Sequence, residues 1–516
     1  MELFSFFLKR ICSVWIISFS IMPLSAQKID VDTEKMCETL EKLELNNAII
    51  SEAIVVGAED DLPEHCLVTG YILPEINFAI RMPINNWNRK FLMDGCGGFC
   101  GSVGFSGYNK RGLKKNYAVS FMDSGHKGES VIDASWAYNN RNAEHDWAHR
   151  AVHETTIVTK IVIEHFYGRP PEKSYFEGCS NGGRQGIMEA LRYPDDFDGI
   201  ISMAPSIYAT AAFMNILWVF RNNMSRDDKN IISLKDLKLI AGAVYAACDS
   251  IDGVKDGLID DPRACEFDPE SLLCKYNVNK GCLNEDQVKT LKAWYEGPIN
   301  SAGELLYSSG LPFGSESSWP RITGTEENSD DSMFGSIALN FFRYLAFEDD
   351  PGQSWNIADF DFDNDPPRLD YMAKIMNADS PDLDNFRAQG GKLLIIHGWA
   401  DIVIPAWMSI EYYETVEKRI GVRAKTQEFF RLFLVPGMTH CGIWEGPGVN
   451  GTGFDQLTQL ENWVEQGIAP DSLFTTKFTP DGSALWTRPV YPYPLRTVYK
   501  GKGDIKSASS YESKKP

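Results

Sequence analysis

A chain of 516 residues with 43% apolar and 12% aromatic content is too long for one ordinary core and too apolar to stay disordered, so one large domain with a substantial insertion is expected. The formal charge of −21 repels nucleic acid and anionic membranes and excludes both as expected partners.

Residues 1–26 read as a cleaved secretion signal: Lys9 and Arg10 precede an apolar run at 11–24, and Leu24-Ser25-Ala26 supplies the small residues a signal peptidase needs. A membrane anchor is the alternative, but the run is shorter than the ~20 residues of a spanning helix. The expected location is secreted or periplasmic, with the formal charge moving to −22 once Glu2, Lys9 and Arg10 are removed. Of 11 cysteines, Cys12 lies in the signal. The ten that remain are an even number bound for an oxidising compartment, so five disulfides are expected. Close spacing favours Cys248–Cys265 and Cys274–Cys282, whereas the partners of Cys37, Cys66, Cys96 and Cys100 stay open.

Apolar, strand-like runs recur at 90–93, 117–121, 174–176, 199–203, 393–396 and 431–435. Helix-length segments lie between several of them, such as 148–167, which stops at Gly168 and Pro170. That alternation predicts a mostly parallel sheet covered on both faces. Between 207 and 378 the chain turns acidic, cysteine-bearing and irregular. This stretch is expected to be a lid domain inserted between core segments 27–206 and 379–500, with 501–516 as a polar tail.

Gly178-Cys179-Ser180-Asn181-Gly182 fits G-x-S-x-G, with a strand-like run before it and a helical run after it. That context makes Ser180 a candidate nucleophile on an α/β-hydrolase fold, in which the order along the chain is Ser, acid, His. Asp401, beyond the run 393–396, and His440, beyond 431–435, sit at strand ends in that order. A hydroxyl needs a base to take its proton, and the base needs a carboxylate to orient it. Cys179 precedes the candidate serine and Cys441 follows the candidate histidine. A disulfide between them would bring Cα atoms to about 5.5 Å and hold Ser180 and His440 within roughly 13 Å. An oxyanion would need backbone donors: the N–H of Asn181, and Gly98 in the loop Gly95-Cys96-Gly97-Gly98-Phe99-Cys100-Gly101, with Gly97 as the next choice.

Within the insertion, Asp249, Asp252 and Asp256 gather in eight residues among glycines that permit sharp turns. Hard oxygen donors at such spacing suit Ca²⁺, with the carbonyls of Val254 and Leu258 completing the set and Cys248–Cys265 stapling the loop. The separation from the triad in sequence predicts a structural ion.

Together these residues, with Arg150 to Thr155, 167–171, 175–186, 193–199, His397 to Asp401 and His440-Cys441, resemble the tannase and feruloyl esterase family over nearly the whole mature chain. The resemblance implies a secreted serine carboxylesterase that cleaves esters of aromatic acids, small or linked to plant polymers, through an acyl-enzyme. It also implies a lid holding the calcium loop, and His397 facing the substrate. Asn181, at a position that varies among relatives, is expected to touch the acyl group. Relatives often carry a cysteine in the stretch 488–494 and a partner near the C-terminus; both are absent here, which predicts a looser tail. The competing readings are a tannase acting on gallate esters, a peptidase or lipase using the same triad, and a calcium-dependent glycan-binding protein without activity.

Overall fold

The computed structural model describes residues 33–227, 229–276, 280–307, 310–324 and 332–515; the signal assigned to 1–26 lies outside them. Nine strands form one sheet in the order β1-β2-β3-β5-β4-β6-β7-β8-β9. The first three are β1 (Ala48–Val56), β2 (His65–Ile72) and β3 (Ile76–Pro83), and the next three are β4 (Lys90–Asp94), β5 (Ala118–Met122) and β6 (Lys173–Cys179). The last are β7 (Gly199–Met203), β8 (Lys392–Gly398) and β9 (Phe430–Val435). The pairs β5–β4, β4–β6, β6–β7, β7–β8 and β8–β9 are parallel, and β1, β2, β3 and β5 pair antiparallel. Helices joining parallel strands pack on the sheet and leave strands such as β7 buried at every residue, which is why 199–203 is an unbroken apolar run apart from Ser202.

This is an α/β-hydrolase fold with a large insertion. The described residues between β7 and β8 add no strand to the sheet. They build helices over one end of it, among them Ala209–Asn222, Leu234–Cys248, Glu285–Glu296 and Met333–Tyr344. The insertion's own core is aromatic: Trp294 and Trp319 are fully buried with ring centroids 5.0 Å apart. Glu316 is enclosed there and accepts hydrogen bonds from Tyr295 Oη at 2.8 Å and Gly314 N at 3.1 Å. Burial outweighs those donors and pushes its carboxyl up to about 7, against an ordinary 4.5. A raised value in the folded state means that Glu316 stabilises the fold fully below 4.5 and loses that contribution as pH rises through about 7. Between about pH 5 and 7 the wild type should therefore lose on the order of 1 kcal/mol per pH unit relative to Glu316→Gln, read from denaturant melts. Parallel pH profiles for the two proteins would remove Glu316 as the cause.

The C-terminal segment is held rather than loose. Tyr511–Lys514 pairs with Arg496–Tyr499, and Tyr511 is buried. Arg488, also buried, donates to Tyr511 Oη at 2.8 Å and pairs with Asp256 and Asp260 of the insertion. The expectation of a looser tail is corrected accordingly: a buried guanidinium needs partners, and it recruits them from the tail and the insertion together.

Candidate active site

β6 ends in a turn so tight that Ser180 takes φ +62°, ψ −121° before the helix Asn181–Arg192 begins. A non-glycine residue held there costs on the order of 1–3 kcal/mol, which the surrounding structure must offset. Ser180 N donates to Met203 O at 2.9 Å, which fixes the turn against β7. Gly182 is required by close approach: a Cβ on it would stand 2.8 Å from the backbone of Gly95. Glycine against glycine therefore brings the loop after β4 directly beside the candidate nucleophile.

Cys179 and Cys441 form one disulfide with Cα atoms 6.1 Å apart across 262 residues. Cys441, like Ser180, has positive φ, +54°. His440 Nδ1 lies 2.7 Å from Asp401 Oδ2. The other oxygen of Asp401 accepts from Val403 N at 2.9 Å and Ile404 N at 3.0 Å. Burial alone would raise the Asp401 carboxyl, but the neighbouring His440 and His397 outweigh it and hold it below the usual carboxylate range. Asp401 thus stays ionised and leaves His440 Nε2 free to act as base. Among the described residues Ser180 Oγ has no hydrogen-bond partner.

The N–H groups of Gly98 and Asn181 have no backbone acceptor among the described residues. Both residues line one cavity with Ser180. Gly98 has φ +57°, and a Cβ there would stand 2.1 Å from Val131 O, so glycine is required. The Cys96–Cys100 disulfide closes this loop, and Cys37–Cys66 ties the N-terminal helix to β2. The remaining pairs are Cys248–Cys265 and Cys274–Cys282.

One side chain is placed differently from the sequence reading. His397 does not face the cavity. It is fully buried, with Nε2 2.7 Å from Ile404 O and 3.3 Å from Asp401 Oδ2, and Nδ1 2.8 Å from Ser409 Oγ. Only a donating Nε2 suits the Ile404 carbonyl, and the same edge of the ring braces Asp401. The Asn181 side chain is also occupied: its Nδ2 donates to Cys96 O at 3.2 Å, and its Oδ1 accepts from Arg184 Nε and Nη2. The carboxamide therefore positions the glycine loop, while Asn181 also lines the cavity.

The cavity encloses about 500 Å³, its open mouth included. The core contributes Phe99, Val131, Ile132 and Trp147, and the insertion Phe213, Ile216, Ile337 and Met376. Phe213 stacks at 5.5 Å on Phe99 and at 4.0 Å on Phe341. Arg184 is the one cation among the lining residues. It donates to Ala148 O, Trp147 O and Met376 O as well as Asn181, and so has no hydrogen to spare for a ligand carboxylate. The walls from the insertion carry no sequence signal, since apolar helical residues read simply as core. Arg184 stands four residues after Ser180, where the elbow's own spacing could have singled it out.

In the acidic loop, Asp249 Oδ1 accepts from Asp256 N and Gly257 N, Asp252 Oδ1 from Val254 N, and Asp256 Oδ1 from Leu258 N. As drawn together here, the three carboxylates do not meet within 4.8 Å as a set. Asp260, absent from the sequence reading, lies largely buried beside them, its side chain 8% exposed. One carboxylate oxygen of Asp252 and one of Asp260 are buried without a partner. Burial raises both carboxyls; the charge of Asp256 adds to the rise at Asp252, and the charges of Asp252 and Asp256 add to the rise at Asp260. Arg488 offsets one charge of the four, so the site is short of positive charge, as a cation-binding loop would be.

A family model described as tannase and feruloyl esterase matches residues 63–514. The chain is 33% identical over 525 residues to the mono(2-hydroxyethyl) terephthalate hydrolase of Piscinibacter sakaiensis, covering 88% of this chain and 85% of that one. It is 34% identical over 468 residues to a probable feruloyl esterase of Arthroderma benhamiae, covering 85% and 82%. The crystal structure of feruloyl esterase B from Aspergillus oryzae superposes with a TM-score of 0.83 at 26% identity, over 93% of this chain and all of that one. With the elbow, the linked loops and the shared architecture in agreement, the chain belongs to the tannase and feruloyl esterase family and is a carboxylic ester hydrolase.

Proposed function

We propose that the protein is a secreted serine esterase that releases a neutral aromatic acid, of the hydroxycinnamic type, from its ester. The observation that carries this reading is the cavity beside Ser180, walled by Phe99, Trp147 and Phe213 and without a free charged group. An aromatic acyl ring gains from stacking and desolvation there, whereas a second carboxylate on the ring would be buried without a partner. Ser180 Oγ attacks the ester carbonyl while its proton passes to His440 Nε2, and ionised Asp401 steadies the imidazolium. The N–H groups of Gly98 and Asn181 receive the oxyanion, where one such donor contributes about 10²–10³ in rate. His440 returns the proton to the departing alcohol. Water then adds to the acyl-enzyme, activated by the same base, and frees the acid. Secretion is supported by the five disulfides, and no helix among the described residues is long and apolar enough to cross a membrane.

The test compares methyl ferulate, a gallate ester and a terephthalate half-ester side by side. The ferulate ester should have the highest kcat/KM, with the terephthalate half-ester lower by at least about tenfold, the cost of about 1.4 kcal/mol for an unpaired buried charge. A preference for the half-ester would overturn the acyl assignment while leaving the esterase in place.

Asp249, Asp252 and Asp256, with the carbonyls of Val254 and Leu258 and the added carboxylate of Asp260, would hold Ca²⁺ as a structural ion. The ion would supply the charge that this buried acidic group lacks. Chelation with EGTA should lower the melting temperature, and restoring Ca²⁺ should recover it by mass action on the folded state. A melting curve indifferent to both treatments would count against the ion.

A further inference from the structure

A second cluster of metal-ligating side chains lies away from this chemistry. The helix Ala151–Tyr167 carries His153, the nucleophile's helix Asn181–Arg192 carries Glu189 near its far end, and the turn that follows carries Asp196. One ligand atom from each lies within 4.8 Å of the other two. His153 Nδ1 and Asp196 Oδ2 are 2.6 Å apart, and the imidazole is stacked on Tyr193 at 3.7 Å. Glu189 is 1% exposed, and neither of its carboxylate oxygens has a hydrogen-bond partner. A buried carboxyl that faces a second carboxylate and accepts from nothing is unpaired when ionised, and when protonated it has Asp196 as its acceptor. Lys160 is the nearby cation, but its Nζ donates to the backbone carbonyl of Asp196 and not to Glu189. His149 faces the same group, with Nδ1 3.1 Å from Tyr193 Oη.

We propose that His153, Glu189 and Asp196 form a site for a divalent transition ion of the zinc type. One imidazole nitrogen and two carboxylate oxygens are a donor set that such ions take and that differs from the all-oxygen acidic loop. The ion would take the place of the direct contact between His153 Nδ1 and Asp196 Oδ2 and bring Glu189 into the same set. Glu189 stands nine residues beyond Ser180 on one helix, roughly 13 Å along its axis, too far for the ion to touch the reacting ester. Its role is to fasten that helix to Ala151–Tyr167 and so hold the elbow from behind.

The experiment uses tag-free, EDTA-stripped full-length protein in excess CaCl₂, which keeps the acidic loop occupied, and titrates it with Co²⁺ as a spectroscopic stand-in for Zn²⁺. One Co²⁺ per chain with visible d–d absorption is expected, together with a rise in melting temperature. His153→Ala and Glu189→Gln should each weaken Co²⁺ binding by at least about tenfold. His153 is partly exposed and carries the test should Glu189→Gln fail to fold. Absence of binding by the wild type overturns the proposal, as does binding unchanged in His153→Ala, which would place the ion at His145 and His149. A Glu189→Gln protein that is more stable than wild type and no weaker for Co²⁺ assigns the cluster to a protonated Glu189 and also overturns it.

Discussion

Ser180→Ala should lower kcat by about 10⁴-fold or more on any ester the wild type cleaves, as loss of a triad serine does. The stability of the variant should be equal to or slightly above that of the wild type. Alanine removes only the hydroxyl, which has no hydrogen-bond partner among the described residues, and the strain at φ +62° remains in both proteins. Ester turnover by a folded Ser180→Ala protein within tenfold of wild type would remove the serine from the mechanism. Circular dichroism and melting curves collected on the same sample separate a chemical loss from unfolding.

Removing the Cys179–Cys441 link should lower both stability and activity. The double substitution Cys179→Ala/Cys441→Ala opens a loop of 262 residues, which costs about 2–4 kcal/mol by the usual measure of disulfides. The effect on catalysis follows from position. The two cysteines adjoin Ser180 and His440, and the residues at both ends of this segment, Ser180 and Cys441, hold positive φ. Without the covalent tie the His440 turn is free to relax toward ordinary backbone, and a small displacement of base from nucleophile costs about 10²-fold in rate. The expected result is kcat reduced by about that factor, with KM changed much less. A double variant with wild-type kcat would show that packing alone aligns the two loops.

Which parts of this architecture are legible in sequence depends on whether the signal is local. The parallel strands around Ser180, Asp401 and His440 announce themselves as short apolar runs between turn residues, because both faces of a central strand are covered. The antiparallel strands β2 and β3 do not: His65-Cys66-Leu67-Val68-Thr69-Gly70 mixes polar and small residues although β2 is paired on both sides, and Pro83 closes β3. The helix predicted for 148–167 is helical throughout, with a wider π turn at Asp146–Arg150 running into Ala151–Tyr167, and it ends where Gly168 adopts φ +70°. The triad is readable because chain order and strand ends constrain it. His397 is not, since nothing in its spacing distinguishes a ring that faces a ligand from one braced between Ser409 and Asp401. Asp260 is missed for the same reason: its burial depends on Arg488, 228 residues further along the chain.

The most direct test of the account is to trap the acyl-enzyme. Treatment with a p-nitrophenyl phosphonate, followed by proteolysis and peptide mass spectrometry, should find one adduct per chain on the peptide containing Ser180, with release of p-nitrophenol in equal amount and simultaneous loss of esterase activity. An adduct on another residue, or activity that survives complete modification of Ser180, would contradict the assignment on which the mechanism rests.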